Sequence, residues 1–227
     1  MAKSEIIPGI LRNVPLFNAL EQSHLELIAA SCELMKLARG ENIFRRGTNI
    51  QTFYYLLSGG GKIFAMSKDG AEKVIHIAAP GETFGEAAMF LGTAVPVGTQ
   101  AIHESVVLAL PKTAIYQLIE EDPRIAHLML AGMSMRMHRL IQDIEAMSLQ
   151  SATERVIGYL LQFCSDQQET QNIVLPAKKA TIASLLNLTP ETLSRTLAKL
   201  EKLGLISVNA TEIHIPDCER LRSATLI

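Results

Sequence analysis

No apolar run in this 227-residue chain approaches the ~18 residues that a membrane-spanning helix needs. Met1-Ala2-Lys3-Ser4-Glu5 is not followed by the apolar stretch of a secretory signal. The expected setting is the cytoplasm, with no membrane partner. Cysteine is scarce: Cys32, Cys164 and Cys218 are widely spaced and odd in number. That suits neither a disulfide framework nor a zinc motif, and three buried or idle thiols are expected. An excess of basic charge is missing too. The net charge is −2, from 21 Lys and Arg against 23 Asp and Glu. Any contact with a polyanion must then be focused rather than spread over a basic coat. No nucleophile–base pair and no metal-ligand spacing stands out, which argues against an enzyme. What is present is ordinary for a globular chain with a good core: 48% hydrophobic and 19% charged residues, in a length suited to one or two domains.

The most ordered signal runs from Thr189 to Gly204. Thr189 is a good N-cap, Pro190 suits the first helical position, and Gly204 can take the left-handed conformation that closes a helix. Leu193, Leu197, Leu200 and Leu203 recur at spacings of four and three, so they form one buried face. Glu191, Ser194 and Arg195 lie at i, i+3 and i+4 on the other side, with Thr189 and Thr192 in the same turn. Arg can fork onto guanine, Glu can accept from cytosine, and Ser adapts to either. Taken alone, an ordinary solvated helix face would look the same. The flanks change the balance. Ala177 to Leu186 reads as a helix with Ile182, Ala183, Leu185 and Leu186 inward, and Asn187-Leu188-Thr189 is a tight turn. Two helices so joined make a helix-turn-helix. Leu205–Val208 and Glu212–Ile215 flank Asn209-Ala210-Thr211 as a two-stranded wing. Lys178 and Lys179 open the first helix and Lys199 and Lys202 line the second, where phosphate contact is open to them; a solvated charged face accounts for them almost as well.

Leu188-Thr189-Pro190-Glu191-Thr192-Leu193-Ser194-Arg195 resembles the recognition helix of the Crp/Fnr transcription regulators. It has the Glu-x-x-Ser-Arg form of the Fnr branch rather than the Arg-Glu-Thr-Val-Gly-Arg form of the Crp branch. The resemblance implies a dimer on double-stranded DNA, in which Glu191, Ser194 and Arg195 read a TTGAT half-site. It also implies RNA polymerase as a partner. Oxygen-sensing Fnr proteins carry a cysteine cluster near the N-terminus. The first thirty-one residues here hold no cysteine, so an iron–sulfur cluster is not expected.

Towards the N-terminus, Ile6 to Ser31 reads as helix interrupted at Pro8 and Pro15, with Leu25, Leu27 and Ile28 facing a core. Pro15-Leu16-Phe17 is similar to the opening of the Crp/Fnr sensor domain. From Cys32 to about Leu110, short strands alternate with glycine-marked breaks, among them Ser58-Gly59-Gly60-Gly61 and Lys68-Asp69-Gly70. This spacing predicts a sandwich or barrel. It is similar to the cupin-like β-roll that binds cyclic nucleotides in Crp. The fold class is therefore α+β. The expected domains are a sensor roll over 1–122, a dimerisation helix over 123–148 and a winged helix-turn-helix over 149–227.

Pro80 to Phe90 looks like the phosphate-binding cassette of that roll, which places Gly85, Glu86 and Met89 in an effector pocket. Cyclic-nucleotide binders follow the cassette with an Arg-Ser pair. Here Thr93-Ala94-Val95-Pro96-Val97-Gly98 offers no cation. A phosphate buried without a counter-charge is costly, so cyclic AMP is not expected.

A short helix, Lys112 to Glu121, precedes Asp122, which caps a long helix running to about Met147. Ala126, Leu130, Met133, Met137, Leu140, Ile144 and Met147 alternate by four and three, a coiled-coil seam. Leu128, Met129 and Gly132 lie on another face, to pack on the roll and complete the effector pocket. Two apolar faces need two partners; a second copy supplies the seam's, and burial within one chain is the alternative. Methionines in the seam pack adaptably and specify register weakly. Ser148 to Ser151 reads as a hinge. Beyond it come a helix from Ala152 to Ser165 with Val156, Ile157, Leu160 and Leu161 inside, a polar loop from Gln167 to Gln171, a strand at Ile173–Leu175, and a short helix at Asp217–Leu221.

Phe53-Tyr54-Tyr55-Leu56-Leu57-Ser58-Gly59, Arg136-Met137-His138 with Ile144-Glu145, and Pro190 to Arg195 are similar to the DNR branch, the regulators of dissimilatory nitrate respiration. That resemblance implies a response to nitric oxide through haem. The iron would need an axial donor, for which His76, His127 and His138 are the candidates; no histidine precedes His24. The alternatives are a regulator of the same build that senses another small ligand, such as a cyclic nucleotide or a metabolite, and a ligand-binding regulatory module of an enzyme.

Overall fold

The computed structural model describes residues 3–14, 17, 20–164 and 170–224, and only the backbone of Lys3, Ser4, Glu5, Arg136, Asp143 and Met147. The chain divides into two compact units, residues 1–138 and 139–227.

The first unit opens with α1 (Lys3–Arg12) and α2 (Gln22–Ser31), which pack on each other. Pro8 lies inside α1 and does not break it, contrary to the interruption expected there. Pro15, Leu16, Asn18 and Ala19 lie outside the described residues. Leu25 and Ile28 are buried as expected, but Leu27 is exposed. It sits two positions from Leu25, on the opposite side of a helix whose buried residues are Leu25, Ile28 and Ala29.

The strands are β1 (Glu33–Leu37), β2 (Asn42–Phe44), β3 (Thr52–Ser58), β4 (Gly61–Met66), β5 (Glu72–Ala78), β6 (Thr83–Phe84), β7 (Gly98–Ala101) and β8 (Ser105–Pro111). They form two antiparallel sheets, β1-β8-β3-β6 and β2-β7-β4-β5. Side chains alternate faces along a strand, and β3 and β8 use both faces. Tyr54, Leu56, Val107 and Ala109 point into the roll, where they meet Phe44, Ile63 and Ala101 from the second sheet. Phe53, Tyr55, Leu108 and Leu110 point outwards into a second apolar cluster. The helices α1, α2, α4 (Lys112–Glu121) and the start of α5 (Arg124–Leu149) cover that second cluster. Inside the roll, the rings of Phe44, Tyr54 and Phe84 lie 5.7–6.3 Å apart, Tyr54 stacked on Phe84. A short helix, α3 (Glu86–Leu91), connects β6 to β7.

Helix α5 spans 26 residues and crosses from one unit to the other. Asp122 starts it as expected: its carboxylate accepts the Arg124 backbone N–H at 3.0 Å and the Arg124 guanidinium at 2.7–3.0 Å. The Arg124 guanidinium also holds the Asp122 carboxyl below its ordinary pKa. No described helix is long and apolar enough to cross a membrane.

The second unit holds α6 (Ala152–Leu161), β9 (Gln171–Val174), α7 (Lys179–Leu185), α8 (Pro190–Lys202), β10 (Ser207–Asn209), β11 (Glu212–Ile215) and α9 (Cys218–Ser223). Helix α6 starts in a capping box: Glu154 N–H donates to Ser151 Oγ at 3.3 Å, and Ser151 N–H donates to Glu154 Oε2 at 2.6 Å. Val156, Ile157 and Leu160 are buried in it, whereas Leu161 is only partly so. The helix ends at Leu161 rather than at Ser165, which lies with Asp166, Gln167, Gln168 and Glu169 outside the described residues. The wing has three strands, not the expected two, because β9 pairs with β11 in the order β10-β11-β9.

Two of the three cysteines are joined. Cys164 and Cys218 form a disulfide, with Cα atoms 6.3 Å apart. This overturns the expectation of idle thiols. A separation of 54 residues carries no sign of proximity; the packing of α6 on α9 creates it. Cys32 is buried in the outer cluster of the first unit.

Candidate nucleic-acid interface and effector region

The second unit is organised to fix one exposed face of α8. Thr189 Oγ1 accepts the Thr192 N–H at 3.2 Å, and Pro190 follows at the first helical position. At the other end, Gly204 takes φ +65°. Its N–H donates to Glu201 O at 2.9 Å, while Leu205 N–H donates to Leu200 O at 3.1 Å. That paired arrangement is a Schellman motif, which satisfies carbonyls that the helix leaves open. Leu193, Leu197 and Leu200 are buried as predicted, together with Thr196. Leu203 is not: it is 52% exposed. The chain turns away at Gly204, and Leu205 fills the core place instead, at 6% exposure.

Helix α7 packs on α8, and α6 packs on both α8 and α9. The turn between α7 and α8 uses Asn187 at φ +55°, a conformation asparagine tolerates better than most residues. Leu188 N–H then donates to Ala183 O at 2.8 Å. Ile182 and Ala183 are buried; Leu185 and Leu186 are half-buried.

Glu191, Ser194 and Arg195 are brought to one solvent-facing side, as their spacing requires. Thr189 is exposed beside them and Thr192 is half-buried. The hydroxyls of Thr189 and Thr192 lie 3.1 Å apart, and Arg195 Nη2 donates to Thr192 Oγ1 at 3.4 Å. Glu191 has its pKa lowered by its own backbone N–H, then by the Thr189 hydroxyl and the Arg195 charge. It is therefore an anion at neutral pH and only accepts hydrogen bonds. The face thus presents an acceptor, a hydroxyl and a forked donor within one turn. Lys178 is exposed at the N-cap of α7, Lys179 is half-buried at its first residue, and Lys199 is exposed in the last turn of α8.

The effector candidates do not form one group. Met89 and Met129 share the outer apolar cluster with Ile115, Leu118 and Ile125. Leu128 is exposed, and a Cβ added at Gly132 would meet nothing within 4 Å. The face of α5 turned to the core is thus Ile125 and Met129, at i and i+4, and the expected Leu128–Gly132 contribution is absent. Gly85 is the left-handed N-cap of α3 at φ +95°. A Cβ there would come within 3.1 Å of Ile50 Cδ1. Glu86 is half-buried at the first position of α3. Within the cation-free stretch Thr93–Gly98, Val95 is 3% exposed in the roll core. Its N–H donates to Thr48 O at 2.9 Å, and its carbonyl accepts from Gly47 N–H at 2.8 Å.

The haem-ligand candidates fare worse. His76 on β5 is engaged by Glu82, with Nε2 2.5 Å from Oε2. His127 and His138 are exposed on α5. Cys32 lies in the apolar cluster, where burial raises its pKa to about 12, so it is a neutral thiol. No group of three metal-ligating side chains occurs among the described residues. The three candidate histidines are thus spread over β5 and α5 and are not brought together.

On α5, the seam residues Leu130, Met133, Met137, Leu140 and Ile144 are all exposed in the single chain. The side chain of Met147 lies outside the described residues.

Two facing antiparallel sheets followed by a long helix and a winged helix-turn-helix define a class: transcription regulators that join a cyclic-nucleotide-binding-like sensor to a DNA-binding domain, and not enzymes. Residues 34–122 match the cyclic nucleotide-binding domain family, and residues 154–224 match the Crp-like helix-turn-helix domain family. The chain is similar to the nitrogen fixation regulation protein FixK of Rhizobium meliloti, at 30% identity over 81% of this chain and 83% of the relative. It is also similar to the cAMP-activated CRP-like global regulator of Mycobacterium tuberculosis, at 24% identity over 93% of this chain and 96% of the relative. Among solved structures, DNR from Pseudomonas aeruginosa matches with a TM-score of 0.53 and 32% identity, over 98% of this chain and 99% of that one. The chain belongs to the Crp/Fnr family of transcription regulators.

Proposed function

We propose that two copies pair along α5 and read an inverted repeat of TTGAT-like half-sites, each through Glu191, Ser194 and Arg195 on α8. The observation that carries this reading is the solvent-facing triplet on a helix capped at both ends. Arg195 forks onto a guanine, Glu191 accepts from a cytosine N4, and Ser194 adjusts to either neighbour. Thr189, Thr192, Lys178, Lys179 and Lys199 hold phosphates and set the register. The exposed apolar seam supports pairing with a second copy, since a row of leucine, isoleucine and methionine left in water is unfavourable.

The roll answers to a small effector and biases the seam. Cyclic AMP is disfavoured by the cation-free stretch Thr93–Gly98. Haem with nitric oxide is favoured by the DNR likeness alone. Among the described residues, His76, His127 and His138 are not gathered into one place, so the proposal stops at a small effector. RNA polymerase is the partner that the family likeness suggests, and the cytoplasm is the setting. Gel shifts with inverted TTGAT repeats against scrambled duplexes test the reading. A preference of at least ~10³ over non-specific DNA is expected; no preference in any ligation state sinks it.

A further inference from the structure

We propose that the Cys164–Cys218 disulfide is a reversible latch on the DNA-reading unit: closed, it holds α8 in its reading position; opened by a thiol reductant, it weakens DNA binding. The proposal rests on the DNA-reading role of α8 argued above, and the test keeps the two separable.

The argument begins with what the bond ties. Cys164 follows the end of α6, and Cys218 is the first residue of α9. The 54-residue separation encloses the helix-turn-helix and all three strands of the wing. Helix α9 is short, six residues, and packs on α6 with Cys218 and Leu221 buried. Asp217 caps it by accepting the Arg220 N–H at 2.8 Å. Arg220 Nη2 donates to Leu203 O at 3.2 Å. Leu203 is the C-cap residue of α8. One six-residue helix is thus fastened covalently to the helix behind the reading element and by a hydrogen bond to the end of that element. Opening the disulfide removes the covalent tie and leaves α9 to noncovalent contacts, among them its packing on α6, buried Leu221 and the Arg220 hydrogen bond. The Arg220 donor at the carbonyl end of α8 is then held on a helix that no covalent bond fixes.

The bond is also open to exchange from one side. Cys164 is half-exposed while Cys218 is buried. A small thiolate therefore attacks the Cys164 sulfur; the S–S bond breaks, and its electron pair leaves on the Cys218 sulfur, which takes up a proton. A second thiolate attacks the outer sulfur of the mixed disulfide, releasing the reductant as its own disulfide and Cys164 as a thiolate, which takes up the second proton. Two electrons and two protons pass to the protein, and two reductant thiols become one disulfide. A DNA-bound regulator works where thiols are kept reduced, and disulfides found there are usually transient and redox-sensing. Cys32 sits in the other unit, buried, and offers an inert internal control.

The test uses the full chain, oxidised with diamide or reduced with dithiothreitol. Maleimide labelling after denaturation is expected to mark one cysteine in the oxidised form and three in the reduced form. Fluorescence anisotropy on an inverted TTGAT duplex is expected to show reduced protein binding about tenfold more weakly, a typical size for coupling between two sites. Cys218→Ser should match the reduced protein and ignore dithiothreitol, whereas Cys32→Ser should respond like the unaltered chain. Should Cys218→Ser fail to fold, the comparison of the unaltered chain in its two states still decides. Arg220→Met should keep the disulfide but lose most of the redox dependence of binding. Three labelled cysteines after diamide overturn the latch, as does equal affinity in both states. Specific binding that ignores redox state removes the latch and leaves the regulator; no specific binding in either state removes both.

Discussion

Glu191 and Arg195 sit one helical turn apart with opposite charges, so their long-range fields largely cancel. What they retain is directional hydrogen bonding, which suits reading bases better than coating phosphates. Arg195→Ala should cost ~1–3 kcal/mol on the preferred duplex and relax choice at one base pair, as measured by competition with single-base variants. Glu191 has a lowered pKa, and the sign of its pH effect follows. Its help to the start of α8 is complete above the ordinary glutamate value of ~4.3 and is lost only as pH falls through the lowered folded value. The Tm advantage over Glu191→Gln should stay constant from neutrality down to about pH 5 and close only below about pH 4. An advantage that vanishes between neutrality and pH 5 would contradict the assignment. At this scale the caps were legible, because Thr189, Pro190 and Gly204 are the residue types that such positions demand. Leu203 was misread because helical periodicity does not register that the chain leaves the helix one residue later. The Cys164–Cys218 bond was invisible for a related reason: tertiary packing alone brings α6 and α9 together.

Among the elements, α5 and α8 were readable almost end to end, since long periodic patterns repeat their evidence every turn. Strand β6 was not, because Thr83–Phe84 is too short to alternate. The strand at Ile173–Leu175 was read, but its pairing with β11 across the whole helix-turn-helix was not. The Ser-x-x-Glu run at Ser151–Glu154 does spell a capping box, a signal available in the sequence. Ser151→Ala should destabilise the second unit by about 1 kcal/mol in denaturant melts, the usual cost of a lost N-cap. The seam makes a separate prediction. Leu140 is 45% exposed in one chain, so Leu140→Glu should leave the fold intact by circular dichroism. In a pair it places like charges face to face, and sedimentation should show a shift from dimer to monomer with loss of DNA binding. A dimer that survives this change would move the interface elsewhere.

For the molecule as a whole, a net charge of −2 limits how much affinity can come from bulk attraction. The effector region was the least legible part. The cassette resemblance covers Pro80–Phe90, which holds β6 and most of α3, yet Leu128 and Gly132 do not join Met89 and Met129, and the roll is packed with Phe44, Tyr54, Phe84 and Val95. Which face of α5 meets the core depends on where α4 delivers it, and Asp122 and Pro123 set that entry beyond the reach of periodicity.

The central claim is that two copies act together, each reading one half-site. The most direct measurement is stoichiometry and affinity, by sedimentation of labelled duplexes, on a full inverted TTGAT repeat and on a single half-site. The account predicts two chains on the full repeat, bound far more tightly than the half-site. One chain per duplex, or equal affinity for the two duplexes, would contradict it.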